Sequence, residues 1–177
     1  MKVEKTKLNG LLIITPEIFE DGRGFFLESF NADRYKKAGI NLDFVQDNHS
    51  RSCKGVLRGL HFQKTKPQGK LVRVVRGEVY DVAVDIRSGS PTYGQWEAII
   101  ISEENKKQVW IPPGFAHGFL VLSETADFEY KCTDYYDPSD EGSLLWNDPH
   151  LNIPWPLKNP KLSEKDAGAD MLLDLKN

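Results

Sequence analysis

The chain has 177 residues, of which 40% are hydrophobic and 28% charged, which suits a single globular domain over residues 1–177 with a substantial core. A net charge of −3 excludes the basic excess of a general nucleic-acid binder. No signal-peptide-like run follows Met1, and no stretch approaches the roughly 20 apolar residues of a membrane span. We therefore expect a cytoplasmic protein with no nucleic-acid or membrane partner.

Ten short segments rich in β-branched and aromatic residues predict strands. In chain order they are Leu11–Thr15, Phe25–Ser29, Phe44–Asn48, Val56–Phe62, Leu71–Arg76, Val79–Ile86, Trp96–Ser102, Gln108–Ile111, Gly118–Leu122 and Ala126–Thr133. Glycine- and proline-containing turns separate them. Many short strands at this spacing predict an all-β fold, an antiparallel sandwich or barrel such as a jelly roll.

One short helix is predicted in the first third of the chain, over Asn31–Ala38. Asn31 can cap its first turn, and Gly39 stands where a left-handed residue ends a helix. The last thirty residues, from Asp148 to the C-terminus, are punctuated by prolines and predict an irregular segment wrapped over the sheets. Cys53 and Cys132 are too few and too far apart for a disulfide framework or a zinc motif, so we expect two free thiols.

His61 stands in otherwise apolar strand sequence. Histidine has an unperturbed pKa of about 6.5, which suits proton transfer near neutral pH. A structural histidine held by one hydrogen bond is the alternative interpretation. The nearby cations Arg58 and Lys70 favour a site for an anionic substrate, because an ionised side chain in apolar surroundings is costly unless it is paired or used.

The spacing of Arg58 and His61 raises a geometric difficulty. Residues separated by an odd number point to opposite faces of a regular strand. A bulge or kink at Gly59 would bring both side chains to one cavity, as bulges near active sites often do. A regular strand with Arg58 in solvent would contradict this hypothesis.

Two further strands place polar side chains inward. Alternation puts Phe128, Tyr130 and Cys132 on one face, so Tyr130 is either a packing residue with one hydrogen bond or a proton donor. Asp81 falls among inward-facing apolar residues and needs a cationic or imidazole partner.

The tract Pro112-Pro-Gly-Phe-Ala-His117 matches the Pro-x-Gly-x-x-His half of the cupin signature, a turn that delivers a histidine to the mouth of a barrel. Cupin metal sites also need a His-x-His and a Glu from the first half. Here that half supplies His61, with Gln63 in place of the second histidine. This ligand set is too small for a divalent metal, so we expect no metal.

Two polar tracts are suited to ligand binding. Arg23 is flanked by glycines and followed by Glu28, which fits either a hairpin with a weak surface ion pair or a phosphate-binding arginine. The run Gln46-Asp-Asn48-His-Ser adds neutral donors and acceptors for sugar hydroxyls or a base.

Over nearly its whole length the sequence resembles the dTDP-4-dehydrorhamnose 3,5-epimerase family. The matching tracts are Asp21-Gly-Arg-Gly-Phe-Phe-Leu-Glu, Gln46-Asp-Asn-His-Ser, Gly55-Val-Leu-Arg-Gly-Leu-His-Phe-Gln, Gly77-Glu-Val-Tyr-Asp-Val-Ala-Val-Asp-Ile-Arg, Gly89-Ser-Pro-Thr-Tyr-Gly, Gly114-Phe-Ala-His-Gly-Phe and Leu162-Ser-Glu-Lys-Asp. The resemblance implies a cupin jelly roll, usually homodimeric, that works without metal or cofactor. It also implies an isomerase that inverts C3 and C5 of dTDP-4-dehydro-6-deoxy-D-glucose on the way to L-rhamnose of bacterial surface polysaccharides.

The resemblance also assigns roles to residues. His61 would be the base, Asp166 the carboxylate that orients it, Tyr130 the acid on the opposite face and Lys70 the cation at the C4 oxygen. The residues implied around the nucleotide and sugar are Arg23, Glu28, Gln46, Asn48, Arg58, His117, Glu141 and Lys165.

Three alternatives stay open at this point. The same base and acid would serve an epimerase that inverts only C3 or only C5. A metal-dependent cupin enzyme is suggested by the Pro-x-Gly-x-x-His turn. A non-catalytic jelly roll that binds sugar nucleotides would keep its affinity without His61 or Tyr130.

Overall fold

The computed structural model describes residues 1–176, so Asn177, the end of the expected domain, lies outside the described residues. The chain forms two antiparallel sheets, with strands numbered in chain order. In spatial order the six-stranded sheet contains β1 (Lys2–Lys5), β2 (Leu12–Thr15), β10 (Gln108–Ile111), β7 (Lys70–Arg76), β12 (Thr125–Cys132) and β5 (Gln46–Cys53). The five-stranded sheet contains β13 (Glu141–Ser143), β6 (Leu57–Gln63), β11 (Phe115–Val121), β8 (Glu78–Asp85) and β9 (Trp96–Ser102).

The main core lies between the two sheets. Val72 and Phe128 of the six-stranded sheet pack in one buried cluster with Val79, Ile101 and Phe119 of the five-stranded sheet. Alternating inward-facing residues of both sheets thus fill a common interior, as in a sandwich. The predicted antiparallel jelly-roll architecture is confirmed.

Each of the ten predicted strands overlaps an observed one, and three observed strands were not predicted. These are β1, β13 and β3 (Ile18–Asp21), which pairs with β4 (Gly24–Leu27) in a separate hairpin. β1 reads Lys-Val-Glu-Lys and is mostly exposed, so it carries no apolar alternation from which a strand could be read. β5 runs to Cys53 rather than ending at Asn48, again through polar residues.

The predicted helix is present as α1 (Ala32–Lys37). The Oδ1 atom of Asn31 accepts a hydrogen bond from the backbone N–H of Arg34, and Gly39 follows the helix at φ +99°. Tyr35 of this helix is buried against the outer face of the six-stranded sheet. Its hydroxyl donates to Oε1 of Gln108 at 2.6 Å, which fixes the helix on the sheet.

The C-terminal segment does wrap over a sheet, but it is more ordered than predicted. Leu151, Ile153 and Leu172 pack on the outer face of the five-stranded sheet. The segment contains a one-turn helix, α2 (Glu164–Ala167), and a final 3-10 helix (Leu172–Lys176). Neither is long enough to show helical periodicity in sequence.

Cys53 is exposed and Cys132 is buried, and both are free thiols. Over residues 1–176, none of the helices is long and apolar enough to span a membrane.

Candidate active site

A cavity of about 440 Å³ lies between the two sheets. Seven of the twelve predicted site residues line it: Arg58, His61, Lys70, His117, Tyr130, Lys165 and Asp166. They come from both sheets and from the C-terminal segment. The fold therefore assembles in one place residues that are more than 100 positions apart in sequence.

Gly59 explains how Arg58 and His61 reach the same cavity. Along the pairing of β6 with β11, His61 lies opposite His117 but Arg58 lies opposite Phe119, so the register shifts by one residue between them. Gly59 has φ +115°, and a Cβ there would lie 2.5 Å from the Cα atom of Gly118. Only glycine fits this close approach of two strands. The predicted irregularity at Gly59 is confirmed.

His61 is held by a carboxylate. Its Nε2 atom lies 2.6 Å from Oδ1 of Asp166, a buried residue of α2. Ser163 caps this short helix by accepting the backbone N–H of Asp166 at 3.1 Å. Burial raises the pKa of Asp166, but the hydrogen bond and charge of His61 outweigh burial and keep that pKa below its ordinary value. An ionised Asp166 holds a proton on Nε2 and leaves Nδ1 as the basic nitrogen of a neutral ring.

Tyr130 and Lys70 face the cavity from the six-stranded sheet, on neighbouring strands β12 and β7. Burial raises the pKa of the Tyr130 hydroxyl, so this side chain is a neutral phenol at physiological pH. Burial also lowers the pKa of Lys70, against the opposing influence of Cys132 and Glu141. In its protonated form this side chain would stabilise negative charge that develops beside it.

His117 forms a second histidine–aspartate pair. Its Nε2 atom lies 2.8 Å from Oδ2 of Asp81, and both side chains are buried. This is the imidazole partner that the sequence required for Asp81. The other carboxylate oxygen, Oδ1, has no hydrogen-bond partner among the described residues.

Glu141 lies beside His61 with two partners of its own. Its Oε1 atom is 4.0 Å from Nδ1 of His61, and its Oε2 atom accepts the hydroxyl of Tyr136 at 2.7 Å and forms an ion pair with Lys165. Burial raises the pKa of Glu141, but Lys165 and Tyr136 reverse that effect and bring it below its ordinary value. The sequence prediction missed Tyr136, although two adjacent tyrosines in a turn after a site strand were a usable signal.

The structure does not bring Arg23 and Glu28 to the cavity within one chain. Arg23 is at the tip of the β3–β4 hairpin, pairs with Asp21, and has a 90% exposed side chain. Glu28 pairs with Arg34 at 3.4 Å and accepts the amide of Asn31 at 3.2 Å, near the start of α1. Arg23 therefore forms a surface ion pair in a hairpin, but its partner is Asp21 and not Glu28, with which the sequence interpretation paired it.

Gln46 and Asn48 lie near the site rather than in its lining. Gln46 donates to Oδ1 of Asn48 at 3.1 Å and accepts the backbone N–H of Tyr136 at 2.9 Å. Asn48 lines a second depression of about 380 Å³, which shares Tyr130 with the main cavity. The two depressions thus meet at the phenol.

Within residues 1–176, no group of three or more His, Cys, Asp or Glu side chains is arranged to hold a metal ion. The first-half position that a cupin would fill with a second ligand is Gln63. Its side chain donates to the carbonyl of Lys66 at 2.8 Å and accepts the N–H of Asp137 at 2.9 Å. Gln63 therefore links the backbone at Lys66 to the backbone at Asp137 through its side-chain amide.

Fold and site together define an acid–base enzyme of the jelly-roll class: an imidazole oriented by a carboxylate lines one cavity with a phenol and a partly buried lysine. The family model for dTDP-4-dehydrorhamnose 3,5-epimerase matches residues 5–174. The chain belongs to this family, as the sequence resemblance predicted.

Relatives support the same conclusion. The dTDP-4-dehydrorhamnose 3,5-epimerase of Salmonella typhimurium is 57% identical over 175 residues, covering 97% of this chain and 96% of the relative. The crystal structure of a dTDP-6-deoxy-D-glucose-3,5-epimerase from Legionella pneumophila, in complex with dTDP-4-keto-L-rhamnose, has a TM-score of 0.95 at 60% identity, covering 97% of this chain and 93% of that one. A 3'-monoepimerase from Streptomyces bikiniensis, in complex with dTDP-quinovose, has a TM-score of 0.91 at 35% identity, with coverages of 97% and 88%.

Proposed function

We propose that this chain inverts C3 and C5 of dTDP-4-dehydro-6-deoxy-D-glucose to give dTDP-4-dehydro-6-deoxy-L-mannose, a step towards dTDP-L-rhamnose. The observation that carries the proposal is that His61 and Tyr130 come from opposite sheets and line one cavity. A sugar ring bound between them has a base on one face and an acid on the other, which is what inversion at carbon requires.

The chemistry follows from the ketone. The C4 carbonyl acidifies the hydrogens at C3 and C5, and the Nδ1 atom of His61 removes one of them. The electron pair of the broken C–H bond moves into an enolate, whose oxygen Lys70 stabilises. Tyr130 then donates its proton to the carbon from the opposite face. Asp166 stabilises the imidazolium in the meantime. Because no hydride is transferred, we propose that the reaction needs no cofactor.

Cations around the cavity suit the diphosphate of the substrate. Arg58 donates its Nε–H to Oγ of Ser52 at 3.0 Å, which leaves its terminal nitrogens available to phosphate oxygens. Lys165 and His117 line the same cavity and are the other candidates for the anion. We assign Gln46, Asn48 and Glu141 to the nucleotide and sugar because they surround the lining at Tyr130 and His61.

We also propose that the active form is a homodimer. The β3–β4 hairpin exposes three large apolar side chains: Phe19, Phe25 and Phe26. An apolar cluster of this kind marks an interaction surface. If Arg23 and Glu28 contact substrate, they do so from a second copy, since neither lines the cavity of its own chain.

We further propose that residues 1–177 act as one catalytic domain in the cytoplasm. The cavity draws on β6, β7, β11, β12 and the C-terminal segment, so no smaller piece of the chain would hold the site. Two unpaired cysteines fit a reducing compartment.

The proposal is tested by incubating the protein with the 4-keto sugar nucleotide in deuterated water. We expect deuterium at both C3 and C5, each with inverted configuration. Inversion at one carbon only would support the monoepimerase alternative, for which the similar Streptomyces structure is the supporting observation. No incorporation under conditions where a related epimerase is active would reject both.

A further inference from the structure

We propose that Glu141 and Tyr136 form a proton relay that resets His61 after each inversion. The inference rests on the function proposed above and adds a step to it. It concerns two groups that lie beside the reacting pair and act through His61.

A reset is required by proton bookkeeping. One inversion moves a proton from carbon to His61 and another from Tyr130 to carbon, which leaves an imidazolium and a phenolate. The next inversion needs a neutral imidazole and a neutral phenol. His61 must therefore lose one proton and Tyr130 must gain one. When both C3 and C5 of one substrate molecule are inverted, the reset must occur between the first inversion and the second.

The geometry provides a route for the proton that leaves His61. Nε2 is engaged with Asp166, so the proton taken from carbon sits on Nδ1. The Oε1 atom of Glu141 is 4.0 Å from Nδ1, an ion-pair distance, and catalytic contacts often tighten only when substrate binds. The Oε2 atom of Glu141 accepts the hydroxyl of Tyr136 at 2.7 Å, and Tyr136 is 50% exposed. The chain of groups thus runs from the partly exposed imidazole to solvent.

The charges around Glu141 suit a transient proton acceptor. Burial raises the pKa of Glu141, but Lys165 and Tyr136 bring it below its ordinary value, so the carboxylate is ionised when the imidazolium forms. The hydrogen bond to Glu141 raises the pKa of Tyr136 to about 12, so its hydroxyl keeps a proton to pass on.

The transfer balances as follows. The Nδ1–H bond of His61 breaks and an O–H bond forms on Glu141. The carboxyl group of Glu141 then rotates to bring its O–H bond to Tyr136, whose hydroxyl changes from donor to acceptor while its own hydrogen passes to water. The Tyr130 phenolate takes one proton from water, which its raised pKa favours. The number of protons on the protein is then the same as before the inversion.

A single-turnover experiment tests the relay. Enzyme in excess is mixed with the 4-keto sugar nucleotide, the reaction is quenched, and singly and doubly inverted sugars are separated. In Glu141→Gln we expect the second inversion to slow relative to the first by about 10²-fold or more, the lower end of the range for a lost proton-transfer group. The singly inverted sugar should therefore accumulate.

Tyr136→Phe provides an independent variant, because it keeps the ring and removes only the relay hydroxyl. It should also slow the second inversion selectively. Tyr135→Phe is the matched control: this neighbouring exposed tyrosine has no part in the relay and its variant should behave as wild type. If Glu141→Gln does not fold, Tyr136→Phe decides alone by the same criterion.

The outcomes separate the relay from the reaction itself. Equal slowing of both inversions, or no slowing of the second, would overturn the relay while leaving the epimerase intact. If the wild-type protein inverts only one centre, the reset occurs between turnovers. The Glu141→Gln and Tyr136→Phe variants should then show a burst of one product per active site, followed by slow turnover. A wild-type protein that inverts nothing removes the proposed function and the relay together.

Discussion

Nε2 of His61 lies 2.6 Å from Oδ1 of Asp166, a residue 105 positions further along the chain, on a helix of one turn. The base of the site is thus oriented by the C-terminal segment. Asp166 would stabilise the imidazolium that forms during proton abstraction and fix the tautomer of the neutral ring.

Asp166→Asn should lower kcat about 10²-fold with little change in KM, because the amide can neither balance the imidazolium charge nor hold the same tautomer. Steady-state kinetics with the 4-keto sugar nucleotide measures both constants. The control is Ser163→Ala, which loses only the cap of α2 and should retain most of the activity. Wild-type kcat in Asp166→Asn would show that the pair serves stability alone.

Lys70→Met should lower kcat about 10²- to 10³-fold, the usual effect of losing one group that stabilises an oxyanion. Methionine has similar length and suits a partly buried position on β7, so unfolding is not expected. Thermal melting checks the fold and kinetics checks the activity. Loss of affinity with unchanged kcat would instead assign Lys70 to the binding of the diphosphate.

Ser52→Ala should raise KM about 3- to 10-fold and leave kcat unchanged, since the one hydrogen bond that positions Arg58 contributes about 1 kcal/mol. Binding of dTDP, measured by calorimetry, should weaken by the same factor. The contrary result, an unchanged KM, would mean that the guanidinium keeps its position without the serine.

Gly59→Ala should destabilise the fold by more than Gly39→Ala. Both glycines have positive φ, which costs an alanine about 1–2 kcal/mol. A Cβ at Gly39 meets nothing within 4 Å, whereas a Cβ at Gly59 clashes with Gly118 and with the carbonyl of His117. Denaturant unfolding compares the two variants. Equal destabilisation would show that β6 and β11 can move apart to accommodate a methyl group at little cost in stability.

The ion pair of Asp127 with Arg51 predicts a pH-dependent stability. Arg51 donates to both carboxylate oxygens at 2.6 and 2.8 Å, and together with a smaller contribution from His49 it lowers the pKa of Asp127 to about 2 from an ordinary value of 3.8. Since the folded pKa is the lower one, the stabilisation is complete above the unfolded value and is lost as pH falls towards 2. The Tm difference between wild type and Asp127→Asn should be constant from about pH 7 to 5 and shrink below about pH 4. A difference that grows on acidification would contradict this.

Sequence patterns predicted the strands in which apolar and polar residues alternate. They also identified polar residues that are unusual among the apolar residues of a strand. His61, Tyr130 and Asp81 were identified in this way, and so was the irregularity at Gly59. The roles of Asp166 and Lys165 came from family resemblance, because a four-residue helix leaves no periodic signal. Their position in the cavity depends on contacts across more than 100 residues, which local patterns do not encode.

Arg23 and Glu28 illustrate the opposite case. Their sequence tract matches the family, yet the single chain places Arg23 at an exposed hairpin tip and Glu28 at the start of α1. A motif identifies which residues a reaction uses, whereas their location depends on tertiary and, as we propose, quaternary structure. Of the two strands of this hairpin, the sequence predicted β4 but not β3, because β3 reads Ile-Phe-Glu-Asp and is largely exposed.

The central claim is that His61 and Tyr130 act on opposite faces of one sugar ring. It is tested most directly by comparing deuterium exchange with inversion in His61→Ala and Tyr130→Phe. We predict that His61→Ala loses both, and that Tyr130→Phe still exchanges hydrogen at carbon with retained configuration while inversion falls about 10²-fold. Inversion that persists in Tyr130→Phe, or exchange that persists in His61→Ala, would contradict the account.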